Sequence, residues 1–273
     1  MHATPAPARP GDVYFFGTCL LDLFLPEAGL DAMTLLEREG VRVHFPQAQS
    51  CCGQPAFTSG QPGEAREVAR SQLGLFDQPW PIVVPSGSCG GMIKHHWPTL
   101  FAGDADEARA CAVAGRVVEF ADFLLNVLRI ELRDQGKPTK VAVHTSCSAR
   151  REMNTHVHGW ALVDQLAQVE RVVHDHESEC CGFGGVFSLR HPDISGAMVS
   201  DKSAALQDSG AVEFVTADGG CLLNINGKLA HDGKAFRGKH LASFLLERTG
   251  GKASARAPAF RSSCAPPTRR NPQ

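Results

Sequence analysis

At 273 residues the chain is long enough for about two domains, and its 43% apolar content is enough for packed cores. A formal net charge of −2 and a pI near 6.6 exclude the basic surface that nucleic acid or an anionic membrane would require, and no apolar run reaches the ~20 residues of a membrane helix. Ten cysteines, in a chain whose opening MHATPAPARPGD has no apolar leader core, point to a cytoplasmic protein with metal or redox chemistry rather than to a disulfide framework.

Residues 1–11 are Pro/Ala-rich and read as a disordered tail. A short apolar strand at residues 13–16 runs into Cys19. Ala32, Met33 and Leu36 recur at helical spacing within residues 28–39, with Gly40 as the cap. Residues 41–45 alternate like a strand and lead to Cys51 and Cys52. A helix over 64–78 turns Ala65, Val68, Ala69, Leu73 and Phe76 to one face, and a strand at 82–84 opens into PSGSCGG with Cys89. The stretch 106–128 reads as a helical link, within a linking segment 106–138 between domains at 12–105 and 139–250. It places Cys111 near Ala108 and Ala112, as a buried structural thiol.

A strand at 140–143 then leads to Cys147, and a helix follows around Trp160, Val163 and Ala167. Val172 and Val173 precede Cys180 and Cys181. A helix over 193–208 uses Ile194, Met198 and Ala205, and a strand at 212–215 leads to Cys221. Residues 251–273, with Cys264, read as a second disordered tail.

Eight cysteines therefore fall into two copies of one pattern. The first is Cys19, 31 residues, Cys51-Cys52-Gly53, 36 residues, Cys89; the second is Cys147, 32 residues, Cys180-Cys181-Gly182, 39 residues, Cys221. Such self-similarity marks a duplicated unit. Strands alternating with helices imply an α/β protein of two tandem domains, each a small parallel sheet flanked by helices, facing each other across a pseudo-twofold. The cysteines follow strand ends, and the crevice beyond the carboxyl ends of parallel strands is where ligands bind.

Four converging thiolates suit an iron–sulfur cluster or zinc. Structural zinc sites use Cys-x₂₋₄-Cys knuckles, which neither copy has, and directly adjacent cysteines diverge in a way that fits a polynuclear core better. The expectation is one cluster per domain, of the 4Fe-4S type, with the set Cys147, Cys180, Cys181 and Cys221 the stronger and zinc open at one site. The glycines of ECCGFGG are expected to let backbone N–H groups approach inorganic sulfide. Lys94, His95, His96, Arg150 and Arg151 are candidates to balance an anionic centre, or are solvated helix faces. His156 with His158, and His174 with His176, read as surface pairs. His144 lies at a strand end just before Cys147, where it hydrogen-bonds a cluster, relays a proton or is a satisfied core residue.

The stretches FFGTCLLDLFLPEAG, FPQAQSCCGQPAFTSG, VPSGSCGGM and HTSCSARRE, with ECCGFGGVFS and ADGGCLLNING, resemble the cysteine-rich CCG domain. That domain occurs twice in the catalytic subunit of heterodisulfide reductase and in iron–sulfur subunits of glycolate and glycerol-3-phosphate dehydrogenases. The resemblance spans roughly residues 12–248 and is closer to one branch, lactate utilization A. It implies an iron–sulfur electron-transfer subunit of a multi-subunit system oxidising L-lactate to pyruvate. The implied partners are a ferredoxin-like iron–sulfur protein and a third small protein, through which peripheral membrane association is possible. The heterodisulfide reductase motif ends in Cys-x-x-Cys, whereas here Met92 and Asn224 take the last position, which favours four-cysteine centres; either residue can still be read as a weak ligand. Two other functions stay open at this level: a cluster that acts directly on a disulfide or on lactate, and a zinc-bearing assembly scaffold. No G-x-G-x-x-G nicotinamide or flavin signature is present.

Overall fold

Short runs buried on both faces form the central strands of two parallel sheets in the computed structural model, which describes residues 9–251. Both tails expected to be disordered fall largely beyond that range, and Cys264 lies outside the described residues.

In the first half, β1 (Asp12–Phe15), α1 (Cys19–Phe24), α2 (Pro26–Arg38) and β2 (Arg42–His44) precede α3 (Gln54–Thr58), α4 (Pro62–Leu73) and β3 (Ile82–Val84). Then α5 (Gly87–Gly91) continues through a π-helical turn (Met92–His96) into α6 (Trp97–Leu100). Next come α7 (Glu107–Ala114), β4 (Val117–Glu119) and α8 (Phe120–Asp122), which runs into a second π turn (Phe123–Leu128). The second half repeats the plan with β5 (Thr139–His144), a π turn (Ala149–Met153), α9 (Thr155–Asp164), β6 (Val169–Val172) and α10 (Phe187–Arg190). It closes with α11 (Pro192–Asp208), β7 (Glu213–Thr216), α12 (Gly219–His231), β8 (Gly238–His240) and α13 (Leu241–Arg248).

The sheets have the same parallel order, β2-β1-β3-β4 and β6-β5-β7-β8. Alternation along each strand serves two cores. Val13, Phe15 and Val83 face a shared core that also takes Val141, Val143 and Val215 from the second sheet, while Tyr14, Phe16, Ile82 and Val84 face a separate outer core. Ala142 and Phe214 belong to the outer core of the second sheet. Residues of α2, α8, α9 and α13 fill the shared core. The contacts obey an exchange rule: α2 meets α13, and their counterparts α9 and α8 meet in turn; α5 meets the 149–153 turn, and the counterparts α12 and α1 also meet. Swapping the two copies maps each contact onto its mate, the mark of an internal pseudo-twofold. Ser86 and Asp218, both three residues before a cysteine, meet each other across it through a 3.3 Å hydrogen bond from the Ser86 hydroxyl to Asp218 Oδ2.

Three details differ from the sequence reading. The link 106–128 is not wholly helical: Val117-Val118 after Gly115 forms β4, the fourth strand of the first sheet. An apolar run that short carries no period that separates strand from helix. The strand β8, which completes the second sheet, is Gly-Lys-His and has no apolar run to mark it in the sequence. The helix over 64–78 ends at Leu73, capped by Gly74, although Phe76 is still buried. Finally, α7 buries Ala110, Val113 and Ala114, which turns Cys111 outward, so this thiol is exposed rather than buried.

Candidate functional site

Because all strands are parallel, the loops carrying the cysteines leave each sheet at the same end. Cys19, Cys51-Cys52 and Cys89 follow β1, β2 and β3; Cys147, Cys180-Cys181 and Cys221 follow β5, β6 and β7. The hydroxyl preceding the first cysteine of each set caps the turn after it. Thr18 Oγ1 accepts from Leu21 N at 3.3 Å, and Ser146 Oγ accepts from Ala149 N at 3.1 Å. This explains why the two copies share a hydroxyl-Cys pair.

The four thiols of each half converge. In the first, the Cys52 and Cys89 sulfurs are 3.4 Å apart, and Cys51 lies near enough to Cys19 and Cys52 for these thiols to shift one another's acidity. In the second, the Cys181 and Cys221 sulfurs are 3.1 Å apart, and Cys180 lies near enough to Cys147 and Cys181 for these thiols to shift one another's acidity. Every cysteine among the described residues is a free thiol, and these separations exceed the ~2.05 Å of a disulfide. Cys52, Cys181 and Cys221 are buried, while Cys19, Cys51, Cys89, Cys147 and Cys180 keep partial access to solvent.

Crowding governs the thiol acidities. Cys19 is pushed up by its hydrogen bond to Cys51 and then by burial; Cys52 is pushed up by its bonds to Cys51 and Cys89 and then by burial; Cys51 is pulled down by Cys19 and Cys52. Cys147 is raised by Cys180 and by burial. Cys180 gains a lowering bond from Cys147, which Cys181 and burial outweigh. Cys181 gains a lowering bond from Cys180 that its bond to Cys221 and then burial outweigh, and Cys221 gains one from Cys181 that burial and neighbouring charges outweigh, leaving Cys221 at about 11. Four such groups ionise together only beside a concentrated positive charge, which a metal centre supplies.

A left-handed glycine follows each adjacent pair of cysteines. Gly53 (φ 88°) and Gly182 (φ 84°) turn their N–H groups onto Cys51 Sγ at 3.4 Å and Cys180 Sγ at 3.3 Å. A Cβ at Gly182 would lie 2.7 Å from the Ser195 carbonyl oxygen. Glycines near Cys89 and Cys221 lie against the other half. Gly87 and Gly91 admit Ala149 and Glu152 of the other half, and Gly219 admits Leu21. They let the two halves approach closely. Each buried cysteine of the adjacent pair is also held by its carbonyl: Trp97 Nε1–H donates to Cys52 at 3.0 Å, and the Asn224 amide donates to Cys181 at 2.8 Å. Met92 is fully buried in the outer core.

The charged candidates separate. Lys94 Nζ donates to the Val117 carbonyl at 3.0 Å, and Arg150 pairs with Glu177 at 3.3 Å. A buried cation near the second thiol set is Lys202 on α11, which feels Cys181, Cys221 and Cys180 and donates to the His176 carbonyl, while Arg151 lines the pocket beside Cys180 with it. Its signal in the sequence is a lysine on the same helical face as Ser195, Val199 and Leu206, all buried. His156 and His158 are half-buried and His176 is exposed, but His174 is buried, contrary to its surface reading: its Nδ1 lies 2.7 Å from the Asp175 carbonyl oxygen. His144 is wholly buried, and neither ring nitrogen has a hydrogen-bond partner, so it is not a satisfied core residue.

The chemistry of the clustered cysteine donors fits a metal or iron–sulfur centre, and among the described residues His144, Cys181 and Cys221 have ligand atoms close enough to share one ion. No helix among the described residues is long and apolar enough to cross a membrane. The cysteine-rich domain family matches residues 13–94 and again 141–226. A lactate utilization protein A of Geobacillus kaustophilus is 39% identical over 237 residues, covering 86% of this chain and 99% of the relative. Its namesake in Anoxybacillus flavithermus is 40% identical over 241 residues, covering 87% and 100%. The crystal structure of a hypothetical protein from Helicobacter pylori shares the fold with a TM-score of 0.63 at 10% identity, covering 92% of this chain and 52% of that one. With two matched cysteine-rich domains and relatives aligned end to end, the chain belongs to the lactate utilization protein A family.

Proposed function

We propose that this chain is an iron–sulfur electron-transfer subunit of a multi-subunit system that oxidises L-lactate to pyruvate. The observation that carries the reading is the convergence of four free thiols in each half, at the carboxyl ends of the strands. Lactate utilization comes from the names of the relatives, which are aligned over nearly their whole length. The partners proposed are a ferredoxin-like iron–sulfur protein and a third subunit, and the compartment is the cytoplasm.

A bound cluster would supply one-electron redox chemistry at each ring of thiols. The chain's own residues hold and tune that ring. Cys19, Cys51, Cys52 and Cys89 hold one centre, and Cys147, Cys180, Cys181 and Cys221 the other. The Gly53 and Gly182 N–H groups donate to thiolate sulfur, which stabilises negative charge there. Trp97 and Asn224 fix the buried cysteine of each pair by its carbonyl. The partly exposed cysteines put an edge of each ring near the surface, where a partner's centre can approach.

Anaerobically purified chain should contain about four irons and four sulfides per site and give a dithionite-dependent EPR signal. Zinc without sulfide would favour the scaffold reading and defeat this one. The catalytic reading has one observation of its own: an open pocket beside Cys180, lined by Arg151, Glu179, Asp201 and Lys202. Lactate should leave the visible absorption of the isolated chain unchanged and bleach it once the partner subunits are added; bleaching of the isolated chain selects the catalytic reading instead.

A further inference from the structure

We infer that His144 donates an imidazole nitrogen to the inorganic centre of the second half, which then has five donors where the first has four. The inference rests on the iron–sulfur reading above.

Geometry supports it first. The donor atoms of His144, Cys181 and Cys221 all lie within 4.8 Å of one another, and all three residues are buried. Groups so spaced can share one metal ion. Second, His144 is 0% exposed and both its ring nitrogens lack a partner. Buried polar atoms are nearly always satisfied, so an orphaned imidazole beside two thiols asks for an acceptor of its lone pair that is not protein. Third, the fold does not need a polar group there. His144 lies three residues before Cys147, and the residue three before Cys19 is Phe16, equally buried, in the core cluster that holds Cys52. A phenyl ring fills the position in one half, so packing alone does not call for an imidazole in the other.

A ligating histidine ordinarily uses its second nitrogen in a hydrogen bond that fixes the ring. His144 also lines a cavity of ≈ 20 Å³ whose walls include Thr145, Ser146, Thr155 and Asp218. That volume accommodates about one water, with polar partners around it. The step is simple coordination: a neutral imidazole lone pair forms one iron–nitrogen bond, and no proton or electron is transferred.

The test is pulsed EPR of the dithionite-reduced full chain labelled with ¹⁵N-histidine. A Cys52→Ser background isolates the second centre, and Cys181→Ser isolates the first. We expect ¹⁵N coupling of directly bound strength in the second-centre signal, none in the first, and its loss in His144→Phe with iron and sulfide retained at the second site. A second-centre signal without such coupling overturns the inference while leaving the iron–sulfur reading intact, as does coupling that survives His144→Phe. Absence of iron and sulfide from the wild-type chain overturns the underlying reading as well. If His144→Phe does not fold, the labelled wild-type spectrum, read against the first-centre signal, decides alone.

Discussion

The two halves have the same strand order, the same hydroxyl caps and the same ring of four thiols, yet they surround those thiols differently. Aligned on their cysteines, the first half has Phe16 where the second has His144, and Phe45 where the second has His174; aligned on the first prolines of α4 and α11, it has Gln72 where the second has Lys202. Gln72 is neutral and ties down the loop ahead of Cys51, accepting from Ser50 N at 2.9 Å and donating to its hydroxyl at 2.7 Å. Lys202 does the comparable job through the His176 carbonyl but brings a charge to the sulfurs. Sulfur placement depends on backbone, namely parallel strand ends and left-handed glycines, and duplication preserved it. The walls depend on side chains and diverged. An inorganic centre's potential follows the charge and hydrogen bonding around it, so identical rings in these two settings would not be equivalent.

Loss of one ring is the largest effect with which to break this comparison. Cys181→Ser should remove the second centre and about half of the bound iron while preserving the first centre's EPR signal, and Cys52→Ser should do the reverse. If either substitution emptied both sites, the halves would be one cooperative unit instead of two independent binding units.

The interface between the halves should respond next, and unequally. A Cβ at Gly87 would meet Ala149 Cβ at 2.3 Å and its Cα at 2.8 Å, so backbone would have to move. Gly87→Val should destabilise by about 3 kcal/mol, read from the urea midpoint. Its counterpart Gly219 faces the Leu21 side-chain end at 2.7 Å, which can rotate away, so Gly219→Val should cost about 1 kcal/mol. Equal losses would mean that the pseudo-symmetric contacts are packed alike, contrary to these distances.

Charge separates the halves in a third way. The last residues of β4 and β8 are Glu119 and His240, both buried, and each caps the helix that follows. Burial raises the Glu119 carboxyl from 4.5 to about 8, against the N–H groups of Asp122 and Ala121. The folded state therefore holds a proton that the unfolded chain releases, and Glu119 should lower stability as pH rises from 4.5 to about 8, at most by ~1.4 kcal/mol per pH unit. His240 is held below 6.5 by burial, so its contribution is present above that pH and is lost as pH falls toward its folded value. Denaturation across pH should show Glu119→Gln flattening the upper slope and leaving the lower one. A Glu119→Gln profile parallel to wild type would place the carboxyl in water.

Much of this was legible in the chain. The duplicated Cys…CCG…Cys spacing gave the two domains and the eight thiols, because a loop after a parallel strand has few places to go. The strands β4 and β8 were not legible, since three-residue runs such as Val117–Glu119 and Gly238–His240 carry no period and acquire strand character only from the neighbour they pair with. Cys111 was misread because small neighbours at any helical position look alike until the packed face is known. His174 and Lys202 were missed because polar residues are buried here by their relation to a site, and that relation is three-dimensional. The isolation of His144 could be raised from its place before Cys147 but only coordinates show that both nitrogens lack partners.

The smallest effect separates support from ligation. Asn224 occupies the position where a related motif has a further cysteine, but its amide donates to the Cys181 carbonyl, as Trp97 does to Cys52 from a different place on the chain. Both are then props for a buried cysteine's backbone. Removing a single such bond should cost about 1 kcal/mol and leave metal content unchanged. Asn224→Ala and Trp97→Phe are the variants; the second keeps most of the ring's packing. Their urea midpoints should fall by similar amounts, and iron per chain should match wild type in both. Loss of second-site iron in Asn224→Ala, without a comparable loss of first-site iron in Trp97→Phe, would make Asn224 a ligand and set the two halves further apart than their walls already do.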